Sequence, residues 1–216
     1  MHKKRSELPT SWPLPRKGTK YFVVGTHATT NGIPLIIAFR DILGIVKTNR
    51  ELRVMLQNKD IFVNQKVRTN EKFPIRAFDI LTYGKVKKNL RLVIVGKKMK
   101  FEEIKENEAN EKTVRIIGKV ILSKDKIQMN LEDGTNLLVK EKFSLGDSAV
   151  IDLKEIKLKT ILPMKEGAKV FVVSGKHAGN EGKVKEIILQ NGKKEYLIKF
   201  KDSEAKLLIK TLLVVN

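Results

Sequence analysis

Arg50, Arg53 and Gln57 fall within about 60° of one another around a helix that turns ~100° per residue, and Lys47 and Lys59 adjoin them. A face of one charge sign repels itself in water. The chemistry that relieves it is neutralisation of phosphates, which also releases condensed counterions. The same residue types recur as Lys3, Lys4, Arg5, Arg16, Lys17 and Lys20 around Trp12, then as Lys66, Arg68 and Arg76. A last group, Lys176, His177 and Lys183, lies in a glycine-rich loop. These residues are the candidate polyanion contacts.

Catalytic and metal chemistry lacks its parts. The chain has no cysteine, and its three histidines, His2, His27 and His177, are scattered, so no thiolate site and no close histidine ligand pair is expected. Nor does a paired histidine and acid stand near a serine as nucleophilic catalysis requires. Asp125, Asp133 and Asp147 fall in expected turns, where aspartate commonly bonds its own backbone. The run SGKHAGNEGKV suggests a phosphate-binding nucleotide loop, but His177 stands where that motif needs glycine and Val184 where it needs Ser or Thr. The expectation is a binding protein that is not an enzyme and uses no cofactor and no metal.

The balance of charge supports this. Across 216 residues, 44 Lys and Arg stand against 24 Asp and Glu, a net charge of +20, and such a chain needs a polyanionic partner. Residues 1–20 carry net +5 (six basic, one acidic), residues 40–100 net +11 (sixteen, five) and residues 101–216 net +4 (twenty-two, eighteen). The main binding surface is therefore expected in the first hundred residues. A membrane partner is not expected, since the charge-free stretch 21–39 is broken by Gly25, Thr26, His27, Asn31, Gly32 and Pro34. No apolar stretch follows the basic start as a secretory signal would require, and a cytoplasmic location is expected.

The elements that must position these residues can be read from periodicity. Residues 1–39 begin with Pro9, Pro13 and Pro15 around Trp12, which precludes a regular helix and suggests a basic extended arm and entry segment that docks along phosphates. Pro34 can open a helix whose Leu35, Ile36, Phe39, Ile42 and Leu43 recur at helical spacing up to Gly44. A second helix starts at a capping box, Thr48 and Glu51, and buries Leu52, Met55 and Leu56. Ile61, Phe62 and Val63, then Asn64-Gln65, then Lys66 read as a hairpin in which Gln65, rather than glycine, costs ~1 kcal/mol. With a strand over 90–95, residues 40–100 form a compact basic α+β module. The acidic stretch 101–113 is a linker or a short solvated helix. Period two then governs 114–162, a small β-barrel domain. In 163–216 two apolar strands flank the glycine loop, and Asn191-Gly192 turns a further hairpin. Val170, Val172, Gly175, His177, Gly179, Gly182, Val184 and Ile187 give this segment a resemblance to the KOW motif of SH3-like barrels.

SWPLPRK, FRDILGIVKTNRELRVML, IFVNQKVRTN, the small β domain and the KOW segment follow in an order that resembles the ribosomal protein family S-four of the E type, across essentially the whole chain. The resemblance implies a multidomain α+β protein of the small ribosomal subunit, ribosome-bound in the cytoplasm, without catalytic activity. Its partners would be small-subunit ribosomal RNA and neighbouring ribosomal proteins, with no homo-oligomer. It also implies that 40–100 is an RNA-binding module shared with bacterial ribosomal protein S-four and pseudouridine synthases, with Lys47, Arg50 and Arg53 as its basic helix face. The family hairpin has Asp-Gly or a similar pair where Asn64-Gln65 stands here, and residues 25–32 depart from the family's proline-containing loop. A KOW-containing transcription-elongation or RNA-processing factor is the alternative.

Overall fold

The computed structural model describes residues 3–27, 32–84, 88–123, 126–190, 193–201 and 203–215. His2, Lys85, Lys87, Asp125 and the Asn191-Gly192 turn lie outside them. The described chain is mostly β with few helices, and divides into two compact units, Met1–Asn110 and Glu111–Asn216. No helix among the described residues is long and apolar enough to cross a membrane.

In the first unit, β1 (Lys3–Lys4) pairs antiparallel with β2 (Tyr21–Phe22), and β3 (Gly32–Pro34) pairs with a later strand. The helix expected after Pro34 is shorter and wider than its spacing suggests. Only α1 (Leu35–Ile37) is α-helical, and Ala38–Ile42 continue as a π turn in which the Leu43 amide reaches back to Ala38 at 2.9 Å. Residues 33 and 35–39 are all buried, so this segment fills the core rather than presenting one apolar stripe. Gly44, at φ +65°, ends it in a left-handed turn that glycine adopts without strain. Then come α2 (Asn49–Gln57), β4 (Ile61–Val63), β5 (Lys66–Val67) and β6 (Pro74–Arg76), the partner of β3. The unit closes with β7 (Ile80–Tyr83), β8 (Lys88–Val95) and β9 (Lys98–Glu103). The five-stranded sheet runs β5-β4-β7-β8-β9. Leu52 and Leu56 of α2 and Ile61, Ile80, Leu81 and Leu92 of the sheet are fully buried with Phe39.

Much of the expected linker is regular structure. Residues 101–103 end β9, Glu108–Asn110 form a 3-10 turn, and 111–113 start the next strand. The acidic composition reflects exposure rather than absence of pairing.

The second unit holds two antiparallel five-stranded sheets. The first, in the order β12-β11-β10-β13-β14, comprises β10 (Glu111–Ser123), β11 (Lys126–Leu131), β12 (Asn136–Val139), β13 (Ser148–Asp152) and β14 (Lys157–Leu162). The other, β18-β17-β16-β15-β19, comprises β15 (Lys169–Val172), β16 (Glu181–Gln190), β17 (Lys193–Lys199), β18 (Glu204–Leu208) and β19 (Leu212–Val214). Each has its own core, one around Ile116, Met129 and Leu131, the other around Val170, Val172 and Ile198. A buried polar seam joins them. Asp147 accepts from the amides of Ser144 and Met164, both at 2.9 Å, Ser148 Oγ accepts from the Val214 amide at 2.9 Å, and Arg115 donates to the Ile209 carbonyl at 2.7 Å.

Candidate nucleic-acid interface

The basic helix face is built as the capping pattern predicts. The Glu51 amide donates to Thr48 Oγ1 at 3.3 Å, while the Glu51 carboxylate accepts from the Lys47 amide at 2.8 Å and from the Thr48 hydroxyl at 3.0 Å. The Lys47 amide, followed by the Thr48 hydroxyl, holds the Glu51 carboxyl below its ordinary pKa. The cap thus consumes the nearest acid, and Lys47 and Arg50 remain exposed with no ion pair within 4 Å among the described residues.

Arg53 departs from expectation. It is exposed, but its guanidinium is already paired in two-pronged fashion with Glu71, Nε to Oε2 at 2.6 Å and the second nitrogen to Oε1 at 3.0 Å. Arg53 holds the Glu71 carboxyl below its ordinary range, and Asn49 adds a hydrogen bond. The pair staples α2 to the 69–72 segment across an open cleft of about 520 Å³ that Gln57, Thr69, Asn70 and Lys72 also line. Arg53 therefore shapes the cleft first, and Glu71 went unnoticed in the sequence because an acid in a basic region carries no periodic signal.

The hairpin expected at Asn64-Gln65 forms, with both residues left-handed at φ +53° and +62°. Asn64 earns its position through its side chain, which donates to Asp79 Oδ1 at 2.8 Å and accepts from the Ile80 amide at 3.0 Å. Gln65 donates to the Ala109 carbonyl at 3.2 Å, a contact glycine would lack. Lys66 is exposed beyond the turn. Arg68 is half-buried, its guanidinium 4.1 Å from the centroid of Phe73, whose ring also meets His27 edge-on at 5.3 Å. Burial pushes the Arg68 guanidinium down from its ordinary pKa, and its Nε is buried with no partner. The charge of Asp79 opposes that shift without cancelling it, so the burial of this cation carries a cost. Arg76 is half-buried on β6, its amide tied to Asp79 Oδ2 at 2.7 Å.

The arm is ordered in this structure. It folds onto its own unit: Met99 of β9 donates to the Ser11 carbonyl at 2.8 Å, and Leu8 and Trp12 are 4% and 2% exposed. Trp12 stands edge-on to Phe22 at 5.6 Å. Its apolar area is buried within this unit, where it is worth more than it would be in water. Arg5 is likewise engaged internally, donating to the Pro15 carbonyl and to Thr19 Oγ1, both at 2.9 Å. Lys4, Arg16, Lys17 and Lys20 are exposed, and Lys3 is half-buried in β1.

In the second unit, the glycine loop between β15 and β16 places Lys176 outward, and Lys183 is exposed on β16. The His177 ring stacks on Phe200 at 5.2 Å and 12°. Gly175 and Gly179, at φ +97° and +89°, let the loop turn back so that the Gly179 amide reaches the Val172 carbonyl at 2.8 Å. The structure therefore gathers Lys47, Arg50, Arg53, Lys66 and Arg68 within the first unit, and Lys176, His177 and Lys183 within the second.

The family model described as ribosomal family S4e matches residues 86–158, and the KOW motif matches 166–195. Small ribosomal subunit protein eS4 of Methanosphaera stadtmanae is 31% identical over 211 residues, covering 96% of this chain and 88% of its own length. The protein of that name from Archaeoglobus fulgidus is 33% identical over 187 residues, 86% of this chain and 79% of its own. The crystal structure of 30S ribosomal protein S4e from Thermoplasma acidophilum superposes with a TM-score of 0.73 at 21% identity, covering 86% of this chain and 95% of that one.

Proposed function

The chain belongs to ribosomal family S4e, and from that premise we propose that it is a structural constituent of the small ribosomal subunit that binds ribosomal RNA. The observation that carries this reading is the match to relatives named small ribosomal subunit protein along 96% of the chain. The KOW match, which the elongation-factor alternative shares, spans only residues 166–195, so that alternative is not favoured. The protein would be ribosome-bound in the cytoplasm beside other small-subunit proteins, monomeric outside the particle, and without catalysis.

In this reading residues 40–100 are the RNA-binding module, with 114–162 and 163–216 as a small β-barrel and an SH3-like KOW barrel. The two antiparallel sheets with separate cores support that division. Lys47 and Arg50 would lie on phosphates, with Lys66, Arg68 and Lys72 continuing the contact past the cleft. Exposed Lys4, Arg16, Lys17 and Lys20 of the arm, and Lys176, His177 and Lys183 of the KOW loop, would extend it. The mechanism is clamping of folded RNA through phosphates and shape with little reading of bases. Filter binding of small-subunit ribosomal RNA across a salt series tests it. The double variant Lys47→Gln/Arg50→Gln should lower the log-log salt slope by ~0.7–0.9 per lost contact, and an unchanged slope and affinity would remove this face from the interface.

A further inference from the structure

The hairpin formed by β8 and β9 carries a basic surface that the helix face does not explain. Its strands alternate cleanly. Leu90, Leu92 and Ile94 of β8 and Met99 of β9 face the core, so Lys98 and Lys100 of β9, opposite Val95 and Val93, point the other way. Lys97, Lys98 and Lys100 are exposed, and no ion pair or ring contact among the described residues engages them. Residues 92–100 contain no acid. The first acid on β9, Glu102, stands opposite Arg91, which is itself tied to Glu108.

The turn supplies an independent sign. Gly96 and Lys97 occupy both left-handed positions of a two-residue hairpin loop, at φ +55° and +69°. Such loops favour Asn-Gly, because a β-carbon in this region crowds the following carbonyl. Glycine at 97 would relieve the strain. A lysine held in an unfavourable backbone conformation, with no contact to reward it, points to a use for its charge outside the chain.

β9 is one edge of the sheet β5-β4-β7-β8-β9, and β5, which carries Lys66, is the other. Four strand spacings put about 19 Å between them. The β9 edge gives its Met99 amide to the Ser11 carbonyl of the same chain, which interrupts the row of backbone groups that pairing with a strand of another protein would need.

We propose that Lys97, Lys98 and Lys100 hold a second segment of RNA phosphate backbone, so that the first unit bridges two RNA segments from opposite edges of one sheet. The inference rests on the RNA-binding reading above and adds a contact to it. Hydroxyl-radical footprinting and salt-series binding of the full chain on small-subunit ribosomal RNA test it with three variants. Lys98→Gln/Lys100→Gln should keep the wild-type melting temperature, lower the log-log salt slope by ~1.4–1.8, and lose protections distinct from those lost by Lys47→Gln/Arg50→Gln. Lys97→Gly should melt higher than wild type yet bind more weakly, an opposition that a purely structural role for Lys97 would not produce. If the hairpin variants keep wild-type slope and protections while the helix variant loses them, this inference fails alone. Loss of the same protections by both double variants would mean one RNA segment and no bridge. Wild-type binding by every variant would remove both surfaces and the RNA-binding reading of this unit with them.

Discussion

A charged side chain in this protein is either spent on the fold or left to face outward, and its nearest acid decides which. Lys112 is spent. Its ammonium, 3% exposed, meets Asp133 Oδ2 at 3.1 Å. Burial pushes the Asp133 carboxyl up, but Lys112 and the Thr135 amide, 2.9 Å from Oδ1, outweigh it and hold the group below its ordinary 3.8. Because the folded pKa is depressed, the unfolded chain takes up the proton first. The stabilisation is therefore full above about pH 4 and lost as pH falls through the folded value, below 3.8. Lys112→Met leaves a largely buried carboxylate without its cation and should cost ~3 kcal/mol at pH 7. Urea denaturation should show that deficit shrinking below pH 3.8, and a deficit independent of pH would mean that Lys112 acts by packing alone. At this scale the sequence was legible for Lys47 and Arg50, whose helical spacing is local. It did not show the packing of Trp12 against Phe22 or the pairing of Arg53 with Glu71, because both depend on contacts beyond the local spacing.

The elements owe their ends to short-range chemistry, and there the reading from spacing is strongest. Thr48→Ala should cost ~1 kcal/mol through the lost cap, read as a lower urea midpoint with unchanged slope. Asn64→Ala removes two side-chain hydrogen bonds and leaves a β-carbon in the left-handed region, so a larger loss of about 2–3 kcal/mol is expected. Gln65→Gly exchanges relief of strain for the contact with Ala109 and should stay within ~1 kcal/mol of the parent. A loss at Asn64 no larger than at Gln65 would show that the Asp79 and Ile80 contacts do not hold the hairpin. Period two located β10, β11 and β12, in which Val114 and Ile116, Met129 and Leu131, and Leu137 and Val139 are buried at alternate positions. The pairing of β3 with β6, the π turn after α1 and the folding of the arm onto β9 left no periodic trace, because each is fixed by a partner 40 or more residues away or by crowding in the core.

Across the molecule, the second unit couples two cores through one polar seam. Gly146, at φ +95°, holds a left-handed conformation that a side chain strains, and a β-carbon there would also push on the side chain of Ile209, whose carbonyl accepts from Arg115. Gly146→Ala should therefore cost about 2 kcal/mol or more. Hydrogen exchange should show protection falling in both sheets of the unit together, whereas loss confined to β10–β14 would mean that the seam does not couple them. The charge balance and the order of segments were sufficient to identify the ribosomal family, and the comparisons along the chain agree. The central claim remains that this protein is a constituent of the small subunit. Sedimentation of cell extract through high-salt sucrose gradients, with mass spectrometry of each fraction, tests it most directly. The protein should appear in stoichiometric amount in the small-subunit fractions, and its absence there with enrichment beside RNA polymerase or free RNA would contradict the account.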